Sequence, residues 1–132
     1  EEIMKKIHTD AAPAAVGPYS QAVEVNGMLY ASGQIALDPA TGELVAGGIE
    51  AQTEQCCRNI EAVLSAAGKS MDNVVRTMCF LADINDFVAF NTVYAKHFTN
   101  KPARSCVAVK DLPKGALCEI EVTATTAEEY SY

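Results

Sequence analysis

Pro102-Ala103-Arg104-Ser105-Cys106-Val107-Ala108-Val109, then Leu112-Pro113-Lys114-Gly115, then Cys118-Glu119-Ile120-Glu121 is the stretch on which the reading turns. Two β-rich runs separated by Pro and Gly predict strand, turn, strand. An arginine sits at the mouth of the first strand and a glutamate lies inside the second. Arginine offers a rigid planar fork of donors that grips a carboxylate at two points. Glutamate can hold or deprotonate a water. If the two strands converge, they bring an anchor for a small acid to a water-handling group. An arginine at a strand end is also, commonly, a surface charge or half of a structural ion pair.

Strand alternation sorts the side chains. Arg104, Cys106 and Ala108 share one face, and Ser105, Val107 and Val109 the other. Glu119, Glu121 and Thr123 oppose Cys118, Ile120 and Val122. The sets Ser105/Val107/Val109 and Cys118/Ile120/Val122 are expected beneath the helices, which would turn Arg104, Cys106 and Glu119 toward one cavity. Cys106 invites a nucleophile reading, because a nearby cation lowers a thiol pKa. No histidine lies nearby in sequence to activate it, and a strand cysteine is more often a small buried filler.

Working outward, Ile3 to His8 reads as a short strand and Thr9 to Pro18 as a loop. Ala22–Val25 and Met28–Ser32 flank Asn26-Gly27, a strong hairpin signal because both turn positions need positive φ. Gly33 to Leu37 is expected to extend the second strand. The strand glycine Gly33 is a signal of a bulge or of close approach by a ligand or another backbone. Gly17-Pro18-Tyr19 places an aromatic ring on a bent loop, where it can cap a pocket or cover a core edge. From about Ile49 to Ala67 the residues Ile49, Thr53, Cys56, Ile60, Val63, Leu64 and Ala67 mark one buried helix face. Gln52, Gln55, Arg58, Asn59 and Glu61 fall largely elsewhere, and Gly68 stops the helix. Val74 to Leu81 is a strand. Asp83 to Asp86 caps a second helix that runs to about Phe98, with Phe87, Phe90, Tyr94 and Phe98 on its apolar side. Strands from Arg104 to Val109 and from about Leu117 to Thr125 close the chain. The order β, ββ, α, β, α, β, β, with hairpin-type connections at both ends, predicts an α+β fold: one sheet with two helices on one face. The uncovered face, carrying apolar and small residues, is a candidate for subunit contact.

Bulk properties narrow the function. A chain of 132 residues is expected to form one domain over 1–132, with 127–132 as a polar, poorly ordered tail. Ten Lys+Arg against seventeen Asp+Glu give a net charge of −7, which disfavours nucleic acid, whose binding rests on neutralising phosphates. Five cysteines without a C-x-x-C pair argue against a disulfide framework or zinc site and for reduced thiols in the cytoplasm. His8 and His97 are isolated, so no metal is expected. No apolar run approaches the roughly 18 residues of a membrane span, and the charged start Glu1-Glu2-Ile3-Met4-Lys5-Lys6 carries no signal-peptide pattern.

Gly17-Pro18-Tyr19-Ser20-Gln21-Ala22, Ser32-Gly33-Gln34, Asn85-Asp86-Phe87, Asn91, Pro102 to Val107, Leu112-Pro113 and Glu119-Ile120-Glu121 occur together in the order found in the YjgF/RidA family of reactive-intermediate deaminases. The chain resembles that family from about Lys6 to Ala124. The resemblance implies a chorismate-mutase-like α+β fold and a homotrimer with sites in the clefts between subunits. It also implies hydrolysis of short 2-imino or enamine acids to 2-oxo acids and ammonia. By the same resemblance Arg104 grips the substrate carboxylate, the backbone around Cys106 positions the substrate, and Glu119 orients the attacking water. Tyr19 closes the pocket, Ser32 and Gly33 line it, and Asn91 matches a recurrent polar position near it. Imine hydrolysis at a carbon already electrophilic needs mainly positioning, so no metal or organic cofactor is required. The segment His97-Phe98-Thr99-Asn100-Lys101 is shorter than in many members, and Lys101 stands where an aromatic or apolar residue often precedes the proline. That departure bears on side-chain preference. Two other readings are a binding module that senses a 2-oxo acid or amino acid, and an RNA-directed activity, which the acidic balance disfavours.

Overall fold

The computed structural model describes residues 3–127. Near its start, β1 (Lys5–Ile7), β2 (Ala22–Val25) and β3 (Met28–Ala31) form an antiparallel meander. Its β2–β3 turn carries Asn26 at φ 52° and Gly27 at φ 75°, the double left-handed turn expected of an Asn-Gly hairpin. Helix α1 (Gly48–Ala66) and strand β4 (Val74–Leu81) follow. Then come α2 (Phe87–His97), β5 (Ala103–Ala108) and β6 (Cys118–Thr125). The sheet has six strands in the order β1-β2-β3-β6-β4-β5. Only β4 and β5 run parallel, as a crossover through α2 demands.

Both helices cover one face of this mixed sheet, as the element pattern predicts. Leu29, Ile60, Leu64, Leu81, Phe90 and Ile120 are buried there. Gly68 ends α1: at φ 72° it lets its own N–H reach Ser65 O (2.9 Å) and the Lys69 N–H reach Leu64 O (2.9 Å). Lys69 then pairs with Glu24 of β2, tying the helix end to the sheet.

Four expectations need correction. The last two strands are not neighbours, because β6 inserts between β3 and β4 and leaves β5 at the sheet edge. Gly33 to Leu37 does not prolong β3. Only Gln34 bridges to Ile120 (N–O 2.8 and 3.0 Å), and the chain then bends away. The buried carbonyls of that irregular segment need donors, and α1 supplies them. Asn59 Nδ2 donates to Ile35 O (3.2 Å) and Leu37 O (3.0 Å), while Gln52 Oε1 accepts from the Leu117 N–H (2.9 Å). Gln52 and Asn59 are therefore buried polar struts rather than part of a solvated face. The uncovered sheet face exposes Tyr30 and Val107, with Met78 and Phe80 half-buried beside them. It also carries Arg76, Glu119 and Glu121, so it is more charged than the sequence pattern indicates. The expected tail falls on residues 128–132, outside the described residues.

Candidate active site

Arg104 enters from the edge strand β5 and bends over α2. Its Nη1 donates to Asn91 Oδ1 at 2.6 Å. Its guanidinium lies 4.8 Å from the Tyr94 ring centroid and 5.6 Å from that of Phe87. These cation–π contacts and one charge-assisted bond hold the fork in place and leave other donors for a ligand. The adjoining cleft, about 500 Å³, is lined by Arg104, Asn91, Tyr94, Phe98, Lys101 and Pro102 among others. Cys106 sits two positions further along the same strand face, partly buried against the core beside Cys79. Burial raises its thiol pKa more than Arg104 lowers it. Burial thus favours the neutral thiol, which removes support from the nucleophile reading.

Glu119 lies elsewhere. It pairs with Phe80 across β4–β6, one residue out of phase with the buried Cys118 and Ile120. Its side chain therefore leaves the sheet on the uncovered face, while Arg104 and Cys106 leave on the helix face. The expectation that Arg104, Cys106 and Glu119 share one cavity within the chain is thus overturned. Register is the cause. Thr77 and Cys79, both buried under the helices, pair with Arg104 and Cys106 and carry them to that side.

Around Glu119 a second cleft, about 420 Å³, gathers Tyr19, Gly33, Gln34, Pro113 and Lys114. Gly33 is there for space: a β-carbon on it would stand 2.2 Å from Glu119 Oε2. Desolvation, then repulsion from Glu121, raises the Glu119 pKa above the ordinary carboxylate value. Tyr19 is half exposed at the rim, on a turn closed by its N–H to Gly17 O (2.9 Å). Ser32 holds that loop: its hydroxyl donates to Ser20 O at 2.6 Å. Its place is thus behind the Tyr19 loop rather than on the cleft wall.

Two residues escaped the sequence reading. Gln21 is buried and clamps residues 9–13, donating to Thr9 O (3.0 Å) and Pro13 O (2.8 Å) and accepting from the Thr9 N–H (2.7 Å). Its only sequence signal was its place directly after the Gly-Pro-Tyr-Ser run. Lys114, at φ 58°, brings a cation to the Glu119 cleft. A left-handed lysine cannot be read from composition.

No helix among the described residues is long and apolar enough to cross a membrane. The family described as Endoribonuclease L-PSP matches residues 9–126. AldR of Lactococcus lactis, described as a candidate regulator, is 55% identical over 122 residues, 92% of this chain and 97% of its own length. The human 2-iminobutanoate/2-iminopropanoate deaminase is 48% identical over 123 residues, 92% of this chain and 90% of its own. The crystal structure of Escherichia coli TdcF with bound serine superposes with a TM-score of 0.89 at 39% identity, covering 93% of this chain and 98% of that one. With this match to its motifs, most of its length and its fold, the chain belongs to the YjgF/RidA family, the Endoribonuclease L-PSP proteins.

Proposed function

We infer that this protein is a cofactor-free hydrolase that converts short 2-imino and enamine acids to 2-oxo acids and ammonia. The observation that carries the reading is the Arg104 fork, held by Asn91 and Tyr94 at the mouth of a cleft of about 500 Å³. The substrate carboxylate takes the free donors of Arg104. Water attacks C2 of the protonated imine, Glu119 holds that water and accepts its proton, and the C–N bond breaks to release ammonia. Atoms balance as imine plus water giving 2-oxo acid plus ammonia. Most of the acceleration comes from holding carboxylate and water in line. The reducing cytoplasm suits the five free thiols.

Arg104 and Glu119 leave opposite faces of the sheet, so one chain offers two half-sites. In this reading a homotrimer joins them: the Arg104 cleft of one copy meets the Tyr19, Gly33 and Glu119 cleft of the next. The exposed apolar side chains of the uncovered face and the unpaired edge of β5 favour such packing. The bound serine of TdcF also favours a sensing role, in which Arg104 would hold an amino acid or 2-oxo acid without turnover.

Both readings meet one experiment. The protein is mixed with a serine or threonine dehydratase and its amino acid, and 2-oxo acid appearance is timed with wild type, Arg104→Ala and Arg104→Lys. Removing one partner of a buried charged hydrogen bond costs about 2–5 kcal/mol, so Arg104→Ala should lose at least about thirtyfold in kcat/KM. Lysine should fall between alanine and wild type, because it keeps the charge and loses the fork. Normal deamination by Arg104→Ala removes the anchor mechanism. Absence of acceleration by wild type, with ligand binding intact, leaves the sensor.

A further inference from the structure

The Arg104 cleft holds a second cation, Lys101, and no carboxylate of the same chain lines it. In a chain of net charge −7, two cations in one cleft without an acid are against the overall balance. Neither forms an ion pair within 4 Å among the described residues. The rest of the wall is aromatic, aliphatic or neutral, including Tyr94, Phe98 and Pro102. Lys101 is exposed, and its backbone is set firmly. Its N–H donates to Phe98 O (3.2 Å), Phe98 is buried, and the neighbouring Asn100 Nδ2 donates to Val74 O (2.9 Å). Lys101 itself stands at φ 53°, a strained conformation for a residue with a β-carbon, and more so before proline. Strain of this kind persists where surrounding contacts over-determine it, and it gathers at ligand clamps.

We propose that Lys101 makes this cleft selective for imino acids bearing a second carboxylate on a one- or two-carbon side chain, the class of 2-iminosuccinate and 2-iminoglutarate. The proposal rests on the deaminase reading above and names its substrate class. Arg104 takes the carboxylate beside the imine. Three residues span at most about 10 Å of chain, and the flexible four-carbon stem of lysine closes that distance onto the side-chain carboxylate. The reaction stays balanced: 2-iminosuccinate plus water gives oxaloacetate plus ammonia. An ordinary role competes with this one. Lys101 lies just beyond the C-terminus of α2, where a cation complements the helix dipole without any ligand.

Two stable 2-oxo acids of equal carbon count, 2-oxoglutarate and 2-oxopentanoate, differ in the second carboxylate and separate the roles. Their dissociation constants are measured by calorimetry on wild type, Lys101→Gln, Lys101→Arg and Lys101→Gly. Glycine suits the left-handed backbone, so it serves if the glutamine variant is unstable. Wild type should bind 2-oxoglutarate about three- to fivefold more tightly, the range of a partly exposed charge pair. The ratio should fall toward one in Lys101→Gln and Lys101→Gly and recover in Lys101→Arg. A ratio unchanged by removal of the charge, with or without a change in Tm, overturns the proposal, as does failure of wild type to prefer the dicarboxylate. Turnover of 2-iminobutanoate and 2-iminosuccinate is read separately. Hydrolysis of the first with a binding ratio of one sinks this inference alone. A preserved ratio with no turnover of either imine sinks the deaminase reading and leaves the cleft's selectivity standing.

Discussion

At Glu119, stability and the proposed chemistry pull in opposite directions. Its folded pKa is raised, by burial and then by Glu121, so the protonated form is favoured by folding. That contribution is full below the unfolded glutamate pKa of about 4.3 and is lost as pH rises through the folded value. Glu119→Gln imitates the protonated state. Its Tm should exceed that of wild type at pH 7, and the difference should vanish on titration below about pH 4. The same variant should lose most deamination, since glutamine cannot take the proton of the attacking water. A variant less stable than wild type at pH 7 would mean that Glu119 is held by a partner this chain alone does not provide. Cys106 shows the reverse case, a conspicuous group whose neutral form burial favours. With its thiol pKa raised by burial, Cys106→Ser should reduce kcat/KM by less than about tenfold, whereas an essential nucleophile would lose far more.

Elements act on the site through their irregularities. Gly33 leaves room for the Glu119 carboxylate, Gln34 bridges to Ile120, and Asn59 of α1 anchors Ile35 and Leu37. The first atoms that a β-carbon on Gly33 would meet belong to a flexible side chain, so Glu119 can swing aside while the fold persists. Gly33→Ala should therefore leave Tm nearly unchanged and lower kcat by about tenfold or more, because reacting groups displaced by about 1 Å can lose up to a hundredfold. A large loss of Tm with normal kcat per folded molecule would make Gly33 a backbone requirement instead.

For the whole molecule, the decisive feature is that the Arg104 cleft and the Glu119 cleft lie on opposite faces of the sheet. If a neighbour completes the site, activity depends on assembly. Light scattering should show a trimer at micromolar concentration, and specific activity should fall on dilution wherever the trimer dissociates. Arg104→Ala should remain trimeric, because this arginine is bound to Asn91 and Tyr94 of its own chain. A stable monomer with full activity would contradict the shared site.

Local chemistry was legible in the sequence wherever it is short-ranged. The Asn26-Gly27 turn, the Gly68 stop, the α1 and α2 faces and the alternation along β5 and β6 depend on neighbours within a few positions, and each is present. The motif residues also marked their family without coordinates. Strand alternation sorts each strand into two faces but does not say which face of one strand joins which face of another. Composition misled at β5: Ser105 and Val107 look more core-like than Arg104, yet the pairing of Thr77 with Arg104 and Cys79 with Cys106 sets the side. Insertion of β6 between β3 and β4 is likewise a long-range pairing, invisible to a window of residues. Gln52 and Asn59 looked polar and solvated, and only the irregular segments packed against them, with their unpaired backbone groups, explain their burial. Sequence by itself determined the elements, their order and the residues worth watching. Tertiary structure alone decided that Arg104 and Glu119 part company across the sheet, because strand register is settled by packing partners distant in the chain.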